Sequence, residues 1–370
     1  GRSVRPAIYS RAAKSASLRR YVSNIDVEIE KLVYGGAGLA RLDGQTALVP
    51  YVLPGERVTA EVVRKSGKVL HGRPVAWQAQ SKLRVPSKCP IFLDCGGCHY
   101  QHIPYEAQVE VKVEILRETL ARLGKIEWDG PIETISAEPW GYRNRTQLRL
   151  FKRGRRAEVG FLEAGSHRLV PASDCPINSP KLNEVHVRLR DLIRDRRFPA
   201  FLDEIEFFTN EQDVQLNVVS TEQPLSKRFF EWMGREIDGL LPGEYLEYPS
   251  GGDVFRVGSR SFFQVNRFLT DALARAAVEG YSGQTAVDLY AGVGLLTLPL
   301  ARQFQTTIGV DSSGAAVRSL QFNAARAGVE AKVVHLNVNE YLRSFDEKVD
   351  LIVADPPRSG LGADVVEDLI

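Results

Sequence analysis

Residues 284–301, QTAVDLYAGVGLLTLPLA, decide the fold of the last third of this 370-residue chain. Residues 285–289 read as a buried strand, residues 290–294 as a glycine turn, and Leu295 as the start of a helix. Gly292 and Gly294 let a ligand approach the backbone at the carboxyl end of that strand. A dinucleotide fingerprint would want a third glycine where Thr297 stands, which weakens a pyrophosphate-cradling reading.

Three more strands follow, alternating with helices, as in a parallel sheet. Residues 306–310 lead to Asp311, whose carboxylate is placed to accept hydrogen bonds from both ribose hydroxyls of an adenosine ligand. Residues 331–335 lead to Asn337, an amide suited to an adenine edge, and residues 349–354 lead to Asp355-Pro356-Pro357-Arg358. Four such strand ends in this order point to a Rossmann-like S-adenosylmethionine (SAM) methyltransferase domain over 261–370. An amino-methyltransferase loop would carry an aromatic where Arg358 stands, which argues against amine methylation.

The rest of the chain reads as two further domains, so the fold class is multidomain. Hydrophobic content of 44% and charged content of 25% exclude wholesale disorder. A net charge of +2 does not by itself imply a polyanionic partner. The apolar run at 286–301 is broken by Asp288, Thr297 and Pro299, so no membrane helix is expected. Residues 1–23 form a basic tail without acids, expected to be disordered. Residues 24–80 alternate and turn like an OB-like β-barrel, whose edge presents Lys65, Lys68, His71 and Arg73 to a nucleic-acid backbone. Residues 104–124 read as a helix with Val113, Leu116, Leu120 and Leu123 on one face, capped by Gly124 and packing on the methyltransferase domain. Residues 81–103 and 125–260 form a central β-rich α+β domain, with hairpin signals at Arg153-Gly154 and Ala164-Gly165.

All four cysteines are accounted for by Cys89, Cys95 and Cys98 in one Pro/Gly-containing loop and by Cys175 before Pro176. Four thiolates suit a tetrahedral zinc or a cubane iron–sulfur cluster. Zinc more often uses two paired C-x2-C arms, and here the second is missing, so the spacing favours a cluster. Disulfides suit least a chain in which no secretory signal is read.

Together, KCPIFLDCGGCHYQHIPYEAQ, GFLEAGSHRLV, DCPI, FFQVN at residues 262–266, DLYAGVG and DPPRSG resemble the iron–sulfur-containing RNA uracil-C5 methyltransferases, over nearly the whole chain. The resemblance implies a TRAM barrel, SAM, a structural [4Fe-4S] cluster on Cys89, Cys95, Cys98 and Cys175, and a cytoplasmic monomer acting on RNA, 23S rRNA first and tRNA second. It adds Gln264, Tyr290 and Leu295 to Asp311, Asn337 and Asp355 as SAM contacts. In such enzymes a cysteine thiolate adds to carbon 6 of uracil, carbon 5 takes the methyl group, and a base removes its proton. The family's nucleophile lies in a Ser-Cys-Asn/Asp-Pro segment after DPPR and its base Glu later still, whereas no cysteine follows Cys175 here. No catalytic nucleophile is therefore assigned, and the given chain is expected to bind cofactor without methylating uridine. The competing reading is a catalytically silent RNA-binding module or fragment with a structural cluster.

Tyr142, Arg143 and Arg145, and then Lys152 and Arg153, combine cations with a stacking ring and are the expected RNA contacts. Phe262 and Phe263 read as core or pocket wall.

Overall fold

The computed structural model describes residues 23–369 except Pro242, Glu244 and Arg260. The basic tail at 1–22 lies outside the described residues. No helix among the described residues is long and apolar enough to cross a membrane. The chain divides into two compact units, Gly1–Ser87 with Cys98–Ile132, and Lys88–Gly97 with Glu133–Ile370.

The first unit is built on one six-stranded sheet: β1 (Asn24–Glu28), β2 (Lys31–Leu32), β3 (Ala37–Leu42), β4 (Gln45–Pro50), β5 (Arg57–Ser66) and β6 (Val69–Ala79). The order is β1-β5-β6-β4-β3-β2, antiparallel except where β4 meets β6. Asp43 and Gly44 both hold positive φ, the signature of the two-residue turn that joins β3 to β4. Alternate residues Val58, Ala60 and Val62 of β5 bury themselves against Val27, Ala47 and Val49. Lys65 and Lys68 are exposed at the far end of the β5–β6 hairpin, while Arg73 pairs with Glu61 at 2.6 Å.

Beside this core, the fully buried Glu56 carboxylate gathers Leu53 N (2.9 Å), Ser81 N (3.1 Å), Trp77 Nε1 (3.2 Å) and the Arg84 guanidinium (2.6 and 2.8 Å). Burial alone would raise its pKa, but Arg84 and the backbone donors hold it below the usual carboxylate value.

Helix α1 (Tyr105–Thr119) continues into a π-helical turn, Leu120–Gly124, and ends on Lys125 at φ 55°. The left-handed cap thus falls one residue past the expected Gly124. The buried face also differs from the expected one: Ala107, Val111 and Ile115, spaced by four, pack on Leu32, Leu53 and Ile103 of the same unit, and Lys31 reaches Glu118 at 2.6 Å. Leu116 and Leu123 stay exposed. Within its own unit the helix packs on the barrel side, where Leu32, Leu53 and Ile103 supply the apolar wall.

The second unit holds an antiparallel sheet of β7 (Arg145–Arg153), β8 (Arg156–Leu162), β9 (Leu169–Pro171), β10 (Leu202–Thr209) and β11 (Val214–Thr221), in the order β11-β10-β7-β8-β9. Helices α2 (Pro180–Leu192) and α3 (Lys227–Glu236) cover it through Leu182, Leu189 and Met233. Ser179 caps α2 and Pro180 begins it, where a missing N–H costs nothing.

A hairpin, β12 (Tyr245–Ser250) and β13 (Asp253–Gly258), leads into α4 (Thr270–Val278) and the parallel strands β14 (Gly283–Leu289), β15 (Phe304–Asp311), β16 (Lys332–His335) and β17 (Leu351–Ala354). Between and after them lie α5 (Thr297–Ala301), α6 (Gly314–Ala327), α7 (Val338–Ser344) and α8 (Ala363–Leu369). The hairpin packs with this layer. Leu246, Phe255 and Val257 of the hairpin share a core with Val293, Leu298 and Leu320.

Two buried imidazoles tie stability to pH. Burial drives both His102 and His186 down to about 4, so both are neutral in the folded chain. The unfolded chain binds these protons near pH 6.5. It therefore binds more protons than the folded chain between about 4 and about 6.5, and stability must fall as pH drops through that window. Urea melts should show a loss of roughly 2–3 kcal/mol per imidazole by pH 4 relative to pH 7. His186→Phe, which keeps an aromatic against Phe161, should flatten that dependence.

Candidate functional site

The parallel strands run in the order β16-β15-β14-β17, so the chain reverses its direction of winding between β14 and β17. Ligands of open α/β sheets bind beyond the carboxyl ends of strands at such a point. A cavity of about 160 Å³ opens there, walled by Phe262, Gln264, Asp288, Tyr290, Gly292 and Asp355.

The turn after β14 is shaped by sterics. Tyr290 takes φ 63°, Gly292 φ 57° and Gly294 φ 100°. A Cβ on Gly294 would lie 2.5 Å from Leu320 Cδ1 and 2.9 Å from Leu298 Cδ1. Gly294→Ala should cost about 2 kcal/mol in chemical denaturation from strain plus overpacking. Gly328→Ala, at φ 66° with open space around it, should cost about 1 kcal/mol.

Asp311, the last residue of β15, accepts Gly292 N on Oδ2 (2.9 Å) and Ser313 N on Oδ1 (2.7 Å). Each oxygen keeps a lone pair, which suits paired hydroxyls. Gln264 Nε2 donates to Asp355 Oδ2 at 2.7 Å, joining the FFQVN segment to the end of β17. Asn144 steadies Gln264 from behind, its Nδ2 donating to the Gln264 carbonyl (2.9 Å) and to the Tyr248 hydroxyl (3.0 Å).

Gln264, Tyr290, Gly292, Leu295 and Asp355 thus line one cavity, and Asp311 is hydrogen-bonded to that wall. Gly294 shapes the turn from beneath. Asn337 caps α7, its side chain accepting Asn339 N at 3.1 Å, beyond the end of β16. Phe263 is core and Phe262, 64% exposed, lines the cavity, in keeping with their reading as core or pocket wall. Asp288 was missed. It is fully buried in β14, receives Thr297 Oγ1 at 2.6 Å, and is pushed up to about 7 by burial, with Asp355 and Asp311 adding to the rise and Thr297 opposing it. An acid inside the apolar run AVDL was the available signal.

Cys89, Cys95, Cys98 and Cys175 are all half-buried. Cys95 bridges to Glu163, and Gly96 N donates to the Leu162 carbonyl at 2.9 Å, so this part of the loop is pinned to the β8–β9 hairpin. Cys175 is fixed by Asn183, which accepts its N–H and donates to its carbonyl, both at 3.0 Å. The donor chemistry of four thiols suits a cluster. Among the described residues, however, no group of three or more His, Cys, Asp or Glu side chains is gathered to hold a metal ion.

Two expected RNA contacts are engaged inside the protein. Arg145 pairs with Glu206 at 3.0 Å, stacks over Phe208 and donates to the Ser261 carbonyl. Lys152 donates to the Asp195 and Phe198 carbonyls. Each cation thereby satisfies part-buried acceptors within the fold. Arg153 remains exposed at the β7–β8 tip, with Tyr142 and Arg143 half-buried.

Residues 264–370 match the Methyltransferase small domain family and residues 19–75 the TRAM domain family. The fold and the strand-end cavity therefore define a methyltransferase. Over 391 residues the chain is 30% identical to an uncharacterized RNA methyltransferase of Enterococcus faecalis, spanning 94% of this chain and 86% of the relative. It is 32% identical over 393 residues to the 23S rRNA (uracil(1939)-C(5))-methyltransferase RlmD of Halomonas elongata, spanning 97% and 80%. The crystal structure of Pyrococcus abyssi tRNA (uracil-54, C5)-methyltransferase in complex with S-adenosyl-L-homocysteine has the same fold, with a TM-score of 0.72, 24% identity, and coverage of 93% and 86%. The chain belongs to the RNA uracil-C5 methyltransferase family.

Proposed function

We propose that the protein uses SAM to methylate carbon 5 of a uridine in RNA, with large-subunit ribosomal RNA as the leading substrate. The observation that carries this reading is the cavity at the β14/β17 reversal, where Asp311 offers a two-oxygen acceptor and Gln264 meets Asp355. Asp311 would take the ribose hydroxyls, and Asn337, just past β16, would meet the adenine. Asp355, at the mouth, would hold the target uracil beside the cofactor. The uridine must leave its stack to enter.

Carbon 5 of uracil is a weak nucleophile until a thiolate adds at carbon 6, so the reaction is read as covalent. The electron pair released by that addition carries carbon 5 onto the methyl group, and loss of the carbon 5 proton then expels the thiolate. None of the four cysteines is offered as the nucleophile, because Cys89, Cys95, Cys98 and Cys175 are assigned to a structural [4Fe-4S] cluster on their donor chemistry. No step passes through that cluster. A visible absorption spectrum of anaerobically purified protein, with iron and sulfide analysis, tests the assignment, and a colourless, zinc-loaded sample would overturn it.

Arg153, with Tyr142 and Arg143, is proposed to meet RNA through phosphate and base contacts. Methylation at carbon 5 releases the hydrogen there. Extract from cells expressing the gene should therefore release tritium from RNA labelled at uracil carbon 5, when SAM is supplied. Extract from a strain lacking the gene should release less, and equal release would count against the reading.

A further inference from the structure

The cofactor cavity contains a carboxylate to which methyl transfer assigns no part. Asp288 is 1% exposed, lies in the cavity wall between the Tyr290 turn and Asp355, and receives the Thr297 hydroxyl at 2.6 Å. The groups acting on it are Asp311 from β15, Asp355 from the end of β17, and the hydroxyl and amide of Thr297 on α5. No cation is among them. Asp311 accepts two backbone amides and Asp355 accepts the Gln264 amide. Asp288 is the most deeply buried of the three carboxylates, and its ionisation therefore depends on whatever charge fills the cavity.

We propose that Asp288 lets the site distinguish the charged cofactor from its neutral product, ionising when a sulfonium occupies the cavity and regaining a proton when only the thioether remains. This rests on the SAM reading above. SAM and S-adenosylhomocysteine share the adenosine and amino-acid parts and differ by one methyl group and one positive charge. A fixed cation in a low-dielectric cavity stabilises a neighbouring carboxylate. When the methyl carbon bonds to its acceptor, the pair from the broken S–C bond stays on sulfur and the charge disappears. Asp288 then takes a proton from solvent, so the ionised carboxylate favours the sulfonium and adds nothing to the binding of the spent cofactor. Burial pushes Asp288 up to about 7, which puts this exchange in the neutral range.

Isothermal titration calorimetry of the protein at about pH 6.5, with SAM and with S-adenosylhomocysteine in two buffers of different ionisation enthalpy, counts the protons released by each ligand. SAM should release roughly half a proton more than S-adenosylhomocysteine. Between about pH 6 and about pH 8, SAM should tighten by about tenfold while S-adenosylhomocysteine changes by less than about twofold. Asp288→Asn, nearly isosteric, should remove the difference. Equal proton counts for the two ligands in the unaltered protein would overturn the proposal, as would a difference that survives Asp288→Asn. If neither ligand binds, it is the cofactor reading itself that fails.

Discussion

Asp311→Ala is expected to weaken SAM binding by about 100-fold, because a charged acceptor contributes roughly 1.5–3 kcal/mol through its hydrogen bonds. The carboxylate is proposed to act on both sides. Toward the ligand it offers two oxygens to two hydroxyls. Toward the protein it accepts Gly292 N and Ser313 N, so it also anchors the turn that walls the cavity. Calorimetric titration with SAM checks the affinity. Circular dichroism should remain native, since Asp311 is the last residue of β15 and its side chain is not part of the buried core.

Glu56→Ala should destabilise the barrel unit by about 3–5 kcal/mol, the usual cost of removing one partner of a buried ion pair. Arg84, only 17% exposed, would lose its carboxylate. Leu53 N, Ser81 N and Trp77 Nε1 would lose their acceptor at the same time. Glu56→Gln should cost less, since a carbonyl oxygen remains to accept. Urea denaturation followed by the fluorescence of Trp77, which donates to this carboxylate, would separate the two variants.

Much of the α/β layer was legible because its signals are local. A strand ending in an acid, followed by a glycine or proline turn, can be read within about ten residues, and β14 to β17 begin and end within two residues of their expected bounds. What was illegible depends on partners far away in sequence. Arg145 reads as an exposed cation until Glu206, 61 residues later, is seen beside it. Lys152 finds carbonyls 43 and 46 residues on. The apolar face of α1 was misjudged because Leu116 and Leu123 are as hydrophobic as Val111 and Ile115, and only the position of Leu32 and Leu53 decides between them. Asp288 went unread for the opposite reason: an isolated acid in a strand looks like an interruption until Asp311 and Asp355 are seen near it.

Uridine methylation in RNA is tested most directly by mapping 5-methyluridine in the ribosomal and transfer RNA of cells with and without the gene, by nucleoside mass spectrometry with site-resolved digestion. Loss of 5-methyluridine at one position, restored by the gene and not by its Asp311→Ala version, is the expected result. An unchanged set of 5-methyluridines, or loss of a base methylated on an exocyclic amine instead, would contradict the account.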